Sequence, residues 1–206
     1  MTIKPLAAGL AAATLALSLS SAAAAQQAAA AAPQVTHGPA ITGVCILSVE
    51  GAIGSSTVGQ YVQTRLQQIS TQVEAELKQE ETGITTEAQA IEQQRASLSQ
   101  DAFDKRRADL QVRLNAFQRK AALRERELAV TQQKALSRVG QEMEPLIRQV
   151  YQQRQCGLLL NRDALLLANP QMDITPALVT ALNGKITQFA FDRERLDQQA
   201  AGAQTR

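Results

Sequence analysis

From Thr57 to Arg154 apolar residues recur, mostly at steps of three or four positions, in two halves separated by a point where the direction of the chain can reverse. In the first half these positions are Val58, Val62, Leu66, Ile69, Val73, Leu77, Ile84, Ala88, Ile91 and Leu98. In the second they are Phe103, Leu110, Leu114, Phe117, Ala121, Leu128, Ala135, Val139, Met143, Leu146 and Val150. Such steps lay one narrow stripe along a helix. A stripe this narrow cannot enclose a core by itself and has to zip against another. The pattern therefore predicts an antiparallel coiled-coil arm over 57–154.

The turn falls at Leu98-Ser99-Gln100-Asp101, where Ser99 suits a helix N-cap and Asp101 favours the helix dipole. About 42 residues run out to Leu98, ~63 Å of helix, and about 46 return from Gln100 to Pro145, ~69 Å. The near match places the shoulder between arm and body at Gly140 to Pro145, because proline inside a helix forfeits the bond to the carbonyl of Gln141. Gly83 interrupts the outgoing helix almost opposite Asn115, and reads either as a hinge or as a tolerated defect. Gly83, Gly140 and Pro145 are the hinge candidates.

What flanks the arm is short. Residues 1–25 read as a cleaved export signal, with Lys4 as the basic start, Leu6 to Leu19 as the apolar core and small residues at 21–25; an uncleaved anchor is the alternative. Residues 26–40 read as a flexible leader. Ile41 to Val49 reads as a buried strand, followed by a small-residue turn over Ala52 to Ser56. After the arm, Cys156 to Asn161 and Asp163 to Ala168 flank Asn161-Arg162-Asp163 and predict a β-hairpin. Thr175 then caps a short helix with Pro176 at its first position, and Asn183-Gly184 stops it. Residues 192–206 read as a disordered tail. The expected fold is mostly α, with a small discontinuous β body from 41–56 and 155–191 and the arm inserted between its strands. So small a body, in a chain that is only 3% aromatic, needs a staple or sibling chains.

The sequence has 21 basic and 19 acidic residues, a net charge of +2, so overall balance selects no partner. Distribution is more informative. Lys105, Arg106, Arg107, Arg113, Arg119 and Lys120 crowd the outer part of the returning helix, while the outgoing helix carries Glu74, Glu76, Glu80, Glu81, Glu87 and Glu92. Two readings compete: ion pairing between the helices, or a cationic tip that attracts an anionic partner. Leu98 and Phe103 either seal the turn or add apolar contacts for that partner. Cys45 and Cys156, an even pair in an exported chain, read as a disulfide tying the arm's two ends or as two buried thiols. The only histidine, His37, lies in the leader, so histidine-based catalysis and zinc sites have no basis. No phosphate-binding loop is present, and no aromatic residues interleave the basic run as nucleic-acid binding would favour. No catalytic residue, metal ligand or cofactor is expected.

The order and spacing of these parts resemble the Skp/OmpH family of periplasmic chaperones. The resemblance rests on the strand Ile41 to Val49, the long hairpin, the tip Leu98 to Arg106, the runs Gly157 to Asn161 and Ala164 to Ala168, and the helix start Asp173-Ile174-Thr175. It implies a periplasmic homotrimer with a shared barrel-like β body and three arms around a cavity. Unfolded outer-membrane proteins would be held there without ATP. This chain departs from the family's best-known members in its near-neutral charge and its extra residues after Gly184. The rival readings are a structural spacer or adaptor of the cell envelope, or a surface protein whose basic arm meets anionic lipid or lipopolysaccharide.

Overall fold

The computed structural model describes residues 35–197. The export signal at 1–25 lies outside them, as do most of the leader and residues 198–206; residues 35–40 are exposed and carry no regular structure. Body and arm belong to one unit that begins at His37.

The body starts with strand β1 (Val44–Leu47), which pairs in parallel with β2 (Leu158–Asn161), Val44 opposite Leu158 and Leu47 opposite Asn161. The whole arm is inserted between these partners. On its other edge β1 receives the Ile174 amide at the Ile46 carbonyl, 2.9 Å. The strand is shorter than its β-branched run suggests because Gly43, at φ 79°, turns the chain just before it. At the other end Ser48 accepts from the Gly51 amide at 3.0 Å and starts a helix, α1 (Val49–Ser55). The small residues expected as a turn over Ala52 to Ser56 are thus helical up to Ser55, because a serine cap satisfies the first turn and Ala52 has a core to bury into. The corner between α1 and α2 (Thr57–Gln93) is tight. Ser56 is fully buried and caps α2 through the Gly59 amide at 3.1 Å. A Cβ on Gly59 would lie 1.8 Å from the Ile53 carbonyl oxygen, so only glycine fits.

The arm is α2 and α3 (Gln100–Gln153), 37 and 54 residues long. Residues 94–98 form the turn, and Ser99 caps α3 by accepting from the Ala102 amide at 3.3 Å. The shoulder does not fall at Gly140 to Pro145. Helix α3 runs unbroken through Pro145 to Gln153 because its next turns are anchored by Met143 and Val150, while Pro145 and Gln141 face solvent, where water can satisfy the released carbonyl. The body's core accordingly reaches up the arm to Val62 and Ala135. Each large apolar side chain fully buried there contributes about 1.5–3 kcal/mol.

Helix α3 stops in a Schellman arrangement, with the Cys156 amide on the Tyr151 carbonyl and the Gln155 amide on that of Gln152, both 3.0 Å. Gln155 takes φ 52°, a left-handed conformation that favours glycine or asparagine. The reversal sets Cys156 beside Cys45, to which it is disulfide-bonded with Cα atoms 5.7 Å apart.

The β-hairpin expected after the arm does not form within the chain. Asn161 accepts from the Asp163 amide at 3.1 Å and nucleates a 3₁₀ turn, Arg162–Ala164, that swings Leu165 to Ala168 away from β2. Leu166 and Leu167 are 100% and 70% exposed, so no described residue covers them. A second 3₁₀ turn, Pro170–Met172, leads into α4 (Thr175–Lys185). The Thr175 hydroxyl accepts from the Ser48 amide at 2.9 Å, and Asn183 accepts from the Thr57 amide at 2.8 Å. Helix α4 thereby holds the ends of both β1 and α2, with Leu178 and Leu182 fully buried beneath it.

Residues 192–197 depart from the expected disordered tail. The chain turns back after α4 and lies along the arm, fixed by polar contacts described below.

Candidate functional site

The residues singled out for binding all lie on the outer arm. At the tip, Phe103 is only 5% exposed, with the guanidinium carbons of Arg95 and Arg107 at 5.1 and 5.6 Å from its ring centre. It seals the turn, as does half-buried Leu98, and the cations over its faces gain from the ring quadrupole. Phe103 is therefore covered rather than offered to a partner, because the first turn of α3 directs it against α2.

The six basic residues divide into two groups. Arg113 pairs with Glu87 across the arm, and Lys120 lies 2.9 Å from Glu76 and 2.7 Å from Glu80. For these two the ion-pairing reading holds. Arg106 donates to the neutral amide oxygen of Gln94 at 2.5 Å and keeps its charge uncompensated. Lys105, Arg107 and Arg119 are exposed and enter no ion pair among the described residues. Since 105 and 119 are separated by about 21 Å of helix, the free cations form a strip rather than a pocket. Such a strip attracts at a distance and orders nothing tightly.

Nearer the body, the stripe of α3 contains three buried polar residues that its apolar pattern does not announce: Arg124, Glu127 and Thr131. Glu127 is fully buried and takes Arg124 at 2.9 Å; Arg124 also reaches Glu76 at 3.1 Å. A third cation comes from the C-terminal segment. Arg193 lies 3.1 Å from Glu76 and 3.3 Å from Glu127, so one guanidinium links a carboxylate on each helix. Partial burial by itself would raise the pKa of Glu76, but hydrogen bonds from Lys120, Arg124 and Arg193 outweigh it and hold the carboxyl at about 2, against an ordinary 4.5. The sequence signal for this layer was the spacing between Leu128 and Ala135, where Thr131 occupies a stripe position.

Gly83 and Gly140 sit in unbroken helix, as does Pro145. Among the described residues, a Cβ at Gly83 would meet only the end of the Arg113 side chain, at 3.9 Å. Among the described residues no group of His, Cys, Asp and Glu could hold a metal ion, and no helix is long and apolar enough to cross a membrane.

No curated protein matches the chain. Among solved structures, the crystal structure of a candidate outer membrane chaperone (OmpH-like) from Caulobacter crescentus CB15 is 52% identical, with a TM-score of 0.77 over 81% of this chain and 98% of that one. Residues 43–182, from the turn before β1 to the buried end of α4, match the family model "Outer membrane protein (OmpH-like)". On that match the chain belongs to the OmpH-like outer membrane protein family.

Proposed function

We propose that this protein is an ATP-independent periplasmic holdase that keeps unfolded outer-membrane proteins from aggregating in a cavity between the arms of a homotrimer. The observation that supports it most is a paired-helix arm rising from a body that one chain leaves incomplete. The outer edge of β2 has no strand partner among the described residues, and Leu158 on that strand and Leu166 and Leu167 after it lie uncovered. Sibling chains placed there would close the sheet edge and turn single arms into a cage. The strip of Lys105, Arg106, Arg107 and Arg119 supplies long-range attraction, and many weak contacts allow release without an energy source.

Diluting a denatured outer-membrane barrel protein into buffer tests this. Light scattering is expected to be suppressed near one trimer per client. Changing Lys105, Arg107 and Arg119 together to Gln should weaken that protection at low salt, and added salt should erase the difference between variant and wild type. Absence of any protection, or a monomeric mass in solution, would overturn the proposal. The spacer or adaptor reading has one observation in its favour: Arg113 and Lys120 are spent on holding the arm together. Unchanged scattering in that assay would select it.

A further inference from the structure

The C-terminal segment is fixed to the arm more thoroughly than a passive tail requires. Its near end is anchored by rings: Phe191 stacks at 5.4 Å on Phe189 and meets Tyr61 of α2 edge-on at 6.5 Å. From there polar contacts pass from α2 to α3. Arg65 of α2 pairs with Asp192 at 2.5 Å and donates to the Phe191 carbonyl at 3.3 Å. Arg193 bridges Glu76 of α2 and Glu127 of α3. The Glu194 amide donates to Thr131 Oγ1 at 2.9 Å, its carboxylate meets Lys134 at 2.7 Å, and the Leu196 amide donates to Glu127 Oε1 at 3.1 Å. Glu127 Oε1 thus accepts from a backbone amide of the segment, while Oε2, hydrogen-bonded to Arg124, has the Arg193 guanidinium within ion-pair distance.

We infer that Asp192–Leu196 is a clamp that rigidifies the arm between Arg65 and Glu76 on α2 and between Arg124 and Lys134 on α3, leaving the section beyond it free to flex. A pair of helices splays by sliding or separating along its seam. A third segment tied to both partners at several levels resists each motion, because separating them would pull Arg124 from Glu76 and force Arg193 to give up Glu76 or buried Glu127. These ion pairs and hydrogen bonds meet the arm no farther out than Glu76 and Glu127, and farther out α2 contains the exposed Gly83. The clamp therefore sets where the arm begins to bend: rigid walls near the body, compliant fingers beyond. The inference concerns the mechanics of the arm and does not depend on the proposed client.

Amide hydrogen exchange on the full chain tests it, since protection measures the local opening free energy. Two variants are compared with wild type, Arg193→Met and a chain ending at Phe191. In wild type, residues 65–76 and 124–134 should be protected at least about tenfold more than 84–91 and 106–119. Both variants should lose that difference while β1, β2 and α4 keep their protection. Equal protection of the two arm sections in wild type, or unchanged exchange at 65–76 in both variants, would overturn the inference. So would acceleration spread evenly over body and arm, since that would make the segment a general stabiliser instead of a local clamp.

Discussion

Replacing Cys45 and Cys156 by Ser removes a covalent link between residues 111 apart in sequence, which closes a loop made almost entirely of the arm. In the chain-entropy account a loop near that size is worth about 4.7 kcal/mol, because the cross-linked unfolded chain explores far fewer conformations. Two features of this structure refine the figure. Both sulfurs are buried, so the serine hydroxyls add a desolvation cost. The bond also holds the reversal at Gln155, whose left-handed backbone has no glycine to favour it. Against a urea slope of about 2 kcal/mol per molar, the midpoint should fall by roughly 2 M. The assay is urea unfolding followed by helical circular dichroism, for the double variant and for wild type with and without reductant. Protomer concentration must be matched, since an oligomer's stability depends on it. Midpoints for oxidised and reduced wild type within about 0.5 M of each other would refute the reasoning. It would mean that the paired helices already restrict the unfolded ensemble or that the ends of the arm are held as well without the bond.

Acid should act on the arm through Glu76. Its carboxyl is depressed from 4.5 to about 2, so its contribution is complete above 4.5 and is lost as pH falls toward 2. Glu76→Gln should lower the melting temperature at neutral pH and flatten its decline over that interval; a decline as steep as wild type would assign the acid sensitivity elsewhere. Gly59→Ala drives a methyl into the Ile53 carbonyl and should cost at least the roughly 1–3 kcal/mol typical of overpacking, read as a drop in melting temperature. Gly54→Ala, five residues earlier with nothing within 4 Å, is the control. It should be neutral or stabilising by about 0.4–1 kcal/mol.

The arm could be read from residue spacing because its stabilising contacts are periodic and local. Val62, Ile69, Val73, Ile84 and Ile91 are buried in the order their spacing dictates, and Ser99 caps where capping chemistry placed it. Features that depend on distant partners were less legible. Pro145 looked like a boundary because a lost hydrogen bond is a local cost, whereas the burial of Met143 and Val150 that offsets it comes from the body. Asp163 to Ala168 reads as a strand from its length and the turn residues before it, despite leucine's low strand propensity, but a strand requires an edge to pair with, and Asn161 turns this run away from the nearest. The clamp was hidden most deeply. Asp192, Arg193 and Glu194 have the composition of a solvated tail, and only the fold sets them opposite Arg65, Glu76, Glu127 and Lys134. At the candidate site the same division applies: the basic run was visible, but which cations are neutralised depends on a register between helices that charge counting cannot supply.

The parallel pairing of Val44 with Leu158 through Leu47 with Asn161 has an evolutionary corollary. Because the polypeptide leaves the sheet after Leu47 and re-enters it at Leu158 on the neighbouring strand, reach is uncoupled from the rest of the architecture. Equal numbers of whole heptads added to or deleted from the two long helices would lengthen or shorten the projection and leave both entry points in place. Relatives could then differ in the length of the arm while sharing one foundation. A change on one side only would shift every cross-arm partner, including Glu76 against Arg124 and Glu87 against Arg113, and should be rare.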